Sequence, residues 1–251
     1  MVGTIALSNG AGERLETIYL GQAPQPGKAD FLDRLDGEWQ RICQRYPAAR
    51  CLGLGDGARD HAPWLAERAQ WQILDFYHAS GYLAGAAPGI ARTHAGRARW
   101  LGGHCHALKH EPGAAPRLCD ALAAQVEAGR RTRSAAPALE AASGYFAHNI
   151  ERMNYAVFQA MDFPIGSGVT EAAGKNLVRL RLCGSGMRWT RSGAQTVIMR
   201  ACTTGFMCQL SSSAPIWSSS RAMRSPALPM LAMASSSTTR CAACGSTSSR
   251  R

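Results

Sequence analysis

No acidic residue follows Glu171 in this sequence of 251 residues. Residues 172–251 carry 11 Lys and Arg and no carboxylate, whereas residues 1–171 carry 17 residues of each sign and are formally neutral. The net charge of +11 therefore lies in the last third of the chain. Such asymmetry points to a polyanionic partner, most simply nucleic acid. Long apolar runs are missing too. No window reaches 18 consecutive apolar residues, so a membrane-spanning helix is not expected. The N-terminus lacks the charged and apolar regions of a signal peptide. Nine cysteines, odd in number and without a regular framework, read as reduced thiols of a cytoplasmic protein. "GLGDGARD" has neither a GxGxxG pattern nor a Walker lysine, which argues against nucleotide binding. No GxSxG elbow supports an α/β-hydrolase.

What is present suffices for a core, since 46% of the residues are hydrophobic. "VGTIALSNG" and "GERLETIYLG" read as a hairpin. Residues 28–46 read as an amphipathic helix, with Leu32, Leu35, Trp39, Ile42, Cys43 and Tyr46 near one face and Pro47 as the stop. "CLGLGDG" and "WQILDFYH" read as buried strands, with a short helix at "APWLAERAQ" between them. The order to about residue 80 is ββαβαβ, an α/β layout with a mixed sheet. Residues 83–158 read as three or four Ala-rich helices, Val169–Cys183 as a helix after a Gly-rich loop, and residues 192–202 as a second basic helix. The expected divisions are 1–82, 83–158, 159–202 and 203–251. The last is rich in Ser, Ala, Arg and Pro, and is expected to be disordered because such a composition buries too little apolar surface to offset chain entropy.

Three carboxylates stand at positions from which chemistry is commonly delivered. Asp56 and Asp75 end expected strands, and Glu171 opens an expected helix. Acids so placed can converge on Mg²⁺, which takes one or two carboxylates plus water and substrate phosphates. Two such ions assist phosphodiester cleavage. Each residue also has a plainer role: an Asp after a strand commonly caps a turn or helix, and a Glu in a first turn suits the helix dipole. Lys175, Arg179, Arg181 and Arg188 would meet a phosphate backbone. Trp189, beside Arg188 and Arg191, either stacks on a base or packs in the core, and packing is the commoner fate. "GHCHALKH" sets His106 and His110 at i, i+4 but offers no second ligand pair, and the Cys241/Cys244 CxxC has no partner pair either.

"GLGDGA", "QILDFYHA", "YFAHNIERMNY" and "PIGSGVTEAAGKNLVRLRLCGSGMRW" together resemble the successive blocks of ISKra-type insertion-sequence transposases, in order and approximate spacing over residues 2–201. The resemblance implies an RNase H-like core with an Asp-Asp-Glu site for two Mg²⁺ or Mn²⁺ ions. It casts Asp56 as the second Asp, Glu171 as the Glu, and Asp75 with His78 as support for the site. It implies DNA as partner, strand cleavage followed by strand transfer as activity, and a location on the bacterial nucleoid; it leaves homo-oligomers open. The family's first catalytic Asp lies on a strand upstream of "GTIAL", a position before Met1. The expectation is therefore a fragment in which the central first strand is missing, leaving a gap between the hairpin and the Asp56 strand. Beyond about residue 201 the sequence leaves the family pattern, as out-of-frame translation would. Arg224, Arg240, Arg250 and Arg251 are then frame noise rather than a binding surface. The implied protein is a transposase fragment, inactive by itself; the alternative is a non-catalytic DNA-binding protein derived from one.

Overall fold

The computed structural model describes residues 1–10, 12–23, 27–58, 62–129, 135–203 and 229–236. It is an α/β fold with a mixed five-stranded sheet. The chain divides into two compact units, Met1–Leu52 with Gly168–Arg251, and Gly53–Ser167.

In the first unit, strands β1 (Val2–Ser8) and β2 (Arg14–Gly21) form an antiparallel hairpin. Asn9 shapes its turn: the side chain accepts the Glu13 amide at 2.9 Å, and Gly12 sits at φ 82° where a side chain would be strained. Helix α1 (Ala29–Arg45) buries Phe31, Leu35, Trp39 and Ile42 along one face, close to the expected stripe. Strand β3 (Arg50–Gly55) follows. The Gly-rich "PIGSG" loop leads into helix α8 (Gly168–Ala173), which continues through a π-helical stretch, Gly174–Arg179, into the short α9 (Leu180–Leu182). Helix α10 (Arg191–Thr203) packs against them, and Ala173, Leu177, Leu182, Ala194 and Ile198 share a core with Val2.

A buried hydroxyl pair fixes α8 to β1. Thr4 Oγ1 and Thr170 Oγ1 lie 2.6 Å apart, and both residues are buried. Removing either hydroxyl strands the other in an apolar setting, whereas removing both does not. Thr4→Val and Thr170→Val should each cost about 1–2 kcal/mol. The double variant should cost less than their sum by at least roughly 0.5 kcal/mol in denaturant melts. Additive losses would show that the pair does not act as one.

The second unit holds α2 (Ala62–Ala66), β4 (Trp71–Leu74) and helices α3 (Phe76–Ile90), α4 (His94–His110), α5 (Ala114–Glu127), α6 (Ala136–Asn149) and α7 (Tyr155–Ala160). Leu83, Leu108, Leu118, Leu122, Leu139 and Phe146 build its core. The ββαβαβ order and the helical character after residue 83 match the sequence reading.

The tail brings a correction. Residues 229–236 fall in the stretch expected to be disordered, yet Met230–Ser236 form a strand, β5. The sheet order is β2-β1-β5-β3-β4, so β5 stands where a gap was expected. Composition averaged over the Ser- and Arg-rich tail hid a five-residue apolar run, "MLAMA", at the head of a seven-residue strand able to satisfy the edge of β1. The rest of the tail, with Arg224, Arg240, Arg250, Arg251, Cys241 and Cys244, lies outside the described residues.

Candidate functional site

Asp56 and Asp75, both in the second unit, directly follow strands β3 and β4, as expected from the apolar runs before them. The Asp75 amide donates to the Gly55 carbonyl at 2.8 Å, which sets the end of β4 beside the end of β3. Asp56 is half-buried, and its Oδ1 accepts the Ala58 amide at 3.0 Å in a tight turn. Its carbonyl accepts the Tyr145 hydroxyl at 2.9 Å. That ring stacks on Tyr82 with centroids 3.8 Å apart. Burial pushes the Tyr145 phenol above its ordinary range, and the Tyr82, Asp56 and Asp75 charges add to the effect.

Asp75 is fully buried and caps α3. One carboxylate oxygen accepts the Tyr77 and His78 amides, at 2.7 and 3.0 Å. The other accepts the Ser167 amide at 2.6 Å and the Ser167 hydroxyl. His78 Nδ1 stands 3.7 Å from Oδ1. Burial alone would raise the Asp75 pKa. The nearby His78 ring, the Ser167 hydroxyl and the Ser167 and His78 amides outweigh it and hold the carboxyl well below the usual range. Asp75 therefore stays ionised while gripping the Gly-rich loop from Ile165 to Ser167, whose Ile165 carbonyl also accepts the Phe76 amide at 2.8 Å. At Gly166 a Cβ would come within 2.7 Å of the Tyr77 ring, so a larger residue there would force that exposed ring to shift.

Glu171 belongs to the first unit, exposed in the first turn of α8. Lys175, Arg179 and Arg188 are exposed on the same unit. Arg181 is half-buried, and its guanidinium donates to the Asn176 carbonyl. Trp189 packs against the α8–α10 core, and its indole N–H donates to the Leu182 carbonyl at 3.1 Å, in keeping with the packing role. An open groove of about 740 Å³ is lined by Arg34, Arg191, Ser192, Gln195 and Met199, with Asp30 and Gln22 on its wall.

The sequence reading missed two residues, Ser167 and Tyr145. A buried Asp requires donors, and the Ser in "PIGSGV" is a polar side chain inside a Gly-rich turn; that was the available signal for Ser167. Nothing local marked Tyr145, whose partner lies 89 residues away. On α4 the His106 and His110 rings lie with centroids 4.7 Å apart, and no third donor joins them among the described residues. Comparison with protein-family models, curated proteins and solved structures gives no match.

Proposed function

We propose that this chain derives from a DDE-type transposase with an RNase H-like core, and that it binds DNA through the basic face of residues 175–200. One observation carries the reading: two carboxylates, Asp56 and Asp75, end neighbouring strands, and the second is locked to the loop that opens the Glu171 helix. The sheet order adds support, with the β1–β2 hairpin on one side and the two Asp-bearing strands on the other.

The donors suit a hard divalent cation. Carboxylates from Asp56 and Glu171 match the preferences of Mg²⁺ or Mn²⁺, with Asp75 and His78 as support for the site. When bound, such an ion activates water and stabilises the departing oxygen of a phosphodiester. The chain's own residues hold the site and the substrate. Asp75 keeps the Gly-rich loop in place, Asp56 and Glu171 offer the ligand oxygens, and Lys175, Arg179 and Arg188 neutralise phosphates. Binding to DNA through these cations is the part of the reading that the exposed basic residues support. The second reading, a non-catalytic DNA-binding protein, rests on the exposure of Lys175, Arg179 and Arg188 alone.

Fluorescence anisotropy of a labelled duplex, titrated with salt, tests this. Three phosphate contacts predict a log–log slope of about −3. Lys175→Gln, Arg179→Gln and Arg188→Gln together should bring the slope close to zero. Binding that ignores salt, or a triple variant that binds like the parent, would sink the DNA reading. Mn²⁺ titration followed by electron paramagnetic resonance addresses the ion separately. Uptake that falls with Asp56→Asn and Glu171→Gln supports the metal site, and unchanged uptake removes it. Metal-dependent strand transfer that Glu171→Gln abolishes would favour the transposase reading over the non-catalytic one.

A further inference from the structure

Helix α4 ends in a pair of imidazoles that the carboxylate site does not use. His106 and His110 stand four residues apart, so they share one face of the helix. Both are exposed. Their ring centroids lie 4.7 Å apart, with 47° between the ring planes.

That spacing is the one a shared ion needs. With metal–nitrogen bonds of about 2.0–2.1 Å, two imidazoles meeting an ion at roughly 90–110° hold their centroids about 4.5–5.2 Å apart. The rings therefore stand at the required separation before any ion arrives. The approach is open as well. Gly102 and Gly103, one turn earlier, are exposed, and a Cβ on either would meet nothing within 4 Å. Local charge suits a cation. His110 is the last residue of α4, where the helix's carbonyl end carries partial negative charge. The intervening Lys109 is directed elsewhere: its ammonium lies 4.4 Å from the Phe76 ring centroid and 6.0 Å from that of Tyr77. The next carboxylate along the chain, Glu111, is held at 2.6 Å by the Arg117 guanidinium. His104 is half-buried and meets the Trp100 ring edge-on, with centroids 4.7 Å apart.

We infer that His106 and His110 form a surface site for a divalent transition ion of the Ni²⁺, Cu²⁺ and Zn²⁺ class, with two imidazole nitrogens as protein ligands and water in the remaining positions. The donors set the choice of ion. Imidazole suits these metals, whereas Mg²⁺ and Mn²⁺ favour carboxylates and water. The site is thus distinct in chemistry from Asp56 and Glu171, and it holds a different ion. Its water positions leave the metal able to take a further donor from outside the chain.

Calorimetric titration of the full chain with Ni²⁺, under a non-thiol reductant, tests this. Outer-sphere partners alone are worth about 10–100-fold in metal affinity, so losing a ligand should cost at least about tenfold, in His106→Ala and in His110→Ala alike. His104→Ala should bind as the parent does, and so should Asp56→Asn, so that this site and the carboxylate site fail separately. Gly103→His combined with His106→Ala keeps the number of imidazoles but sets them about 10 Å apart along the helix, and should bind no better than His106→Ala alone. These surface variants should melt within about 2 °C of the parent without metal, which separates a lost ligand from a lost fold. In proton NMR of the parent, substoichiometric Ni²⁺ should broaden the ring signals of His106 and His110 before those of the other histidines. Affinity within about twofold of the parent in either single variant, or recovery in the shifted pair, would overturn the inference. Broadening that spares both rings would overturn it without any variant, as would displacement of Ni²⁺ by an equal concentration of Mn²⁺.

Discussion

Asp75→Ala should destabilise the protein by roughly 3–5 kcal/mol, because it leaves four donors without an acceptor in a buried setting. Those donors are the Tyr77, His78 and Ser167 amides and the Ser167 hydroxyl. The melting temperature should fall by roughly 10 °C at pH 7. The pH dependence tests the cause. The carboxyl's folded pKa lies below its ordinary value, so its contribution is present above the unfolded pKa and is lost as pH falls toward the folded one. The gap between parent and variant should thus be constant from neutral pH to about pH 5 and shrink below about pH 4. Thermal melts at pH 7 and pH 3 measure it. A gap under about 1 kcal/mol at pH 7, or one that widens in acid, would show that the ionised carboxylate does not hold the Gly-rich loop.

Much of the frame behind Asp75 was legible locally. The hairpin, α1 and the strands β3 and β4 announce themselves through apolar periods of two or about four, and these are short-range signals. The placing of Asp56 and Asp75 at strand ends follows from the same runs. The partners of those acids were not legible in the same way. Ser167 lies 92 residues from Asp75, and its role depends on a loop conformation that no period encodes. Tyr145 is one aromatic among several in an Ala-rich helical region. Strand β5 was the largest omission. Two of its seven residues are Ala and two are Ser, and it sits in a stretch whose average composition argues against order. A strand is stabilised by its neighbours more than by its own propensity, and here the neighbour lies at the other end of the chain.

Gly57→Ala should cost about 2–4 kcal/mol, through two effects that a control separates. Gly57 sits at φ 86°, a conformation that costs a non-glycine residue about 1–2 kcal/mol. A Cβ there would also approach Tyr145 Cε2 to 2.6 Å and its hydroxyl oxygen to 3.0 Å. The ring is held by its stack on Tyr82 and by its bond to the Asp56 carbonyl, so yielding breaks one or the other. Gly27 has φ 79° and open space around it, so Gly27→Ala reports backbone strain alone. The difference between the two variants in urea melts is the cost of the clash, expected at about 1–2 kcal/mol. Equal losses would mean that Tyr145 moves aside freely and does not brace the turn that carries Asp56. If Asp56 binds a divalent ion as proposed, Gly57→Ala should also weaken Mn²⁺ uptake, since it disturbs the adjoining turn.

Synthesis on the ribosome proceeds from the N-terminus, and that gives the position of β5 a temporal meaning. Val2 pairs with Ser236, a separation of 234 residues. At about 5–20 residues per second, β1 emerges roughly 10–45 s before its second neighbour has been made. During that interval the hairpin offers an unsatisfied edge, the kind of surface that recruits stray strands. Nascent chains crowded on one message would hold such edges close together, and each would be waiting for a segment that the chain ahead had already released. Holding factors that mask the hairpin during this window should therefore improve the yield of native protein more than factors acting after release.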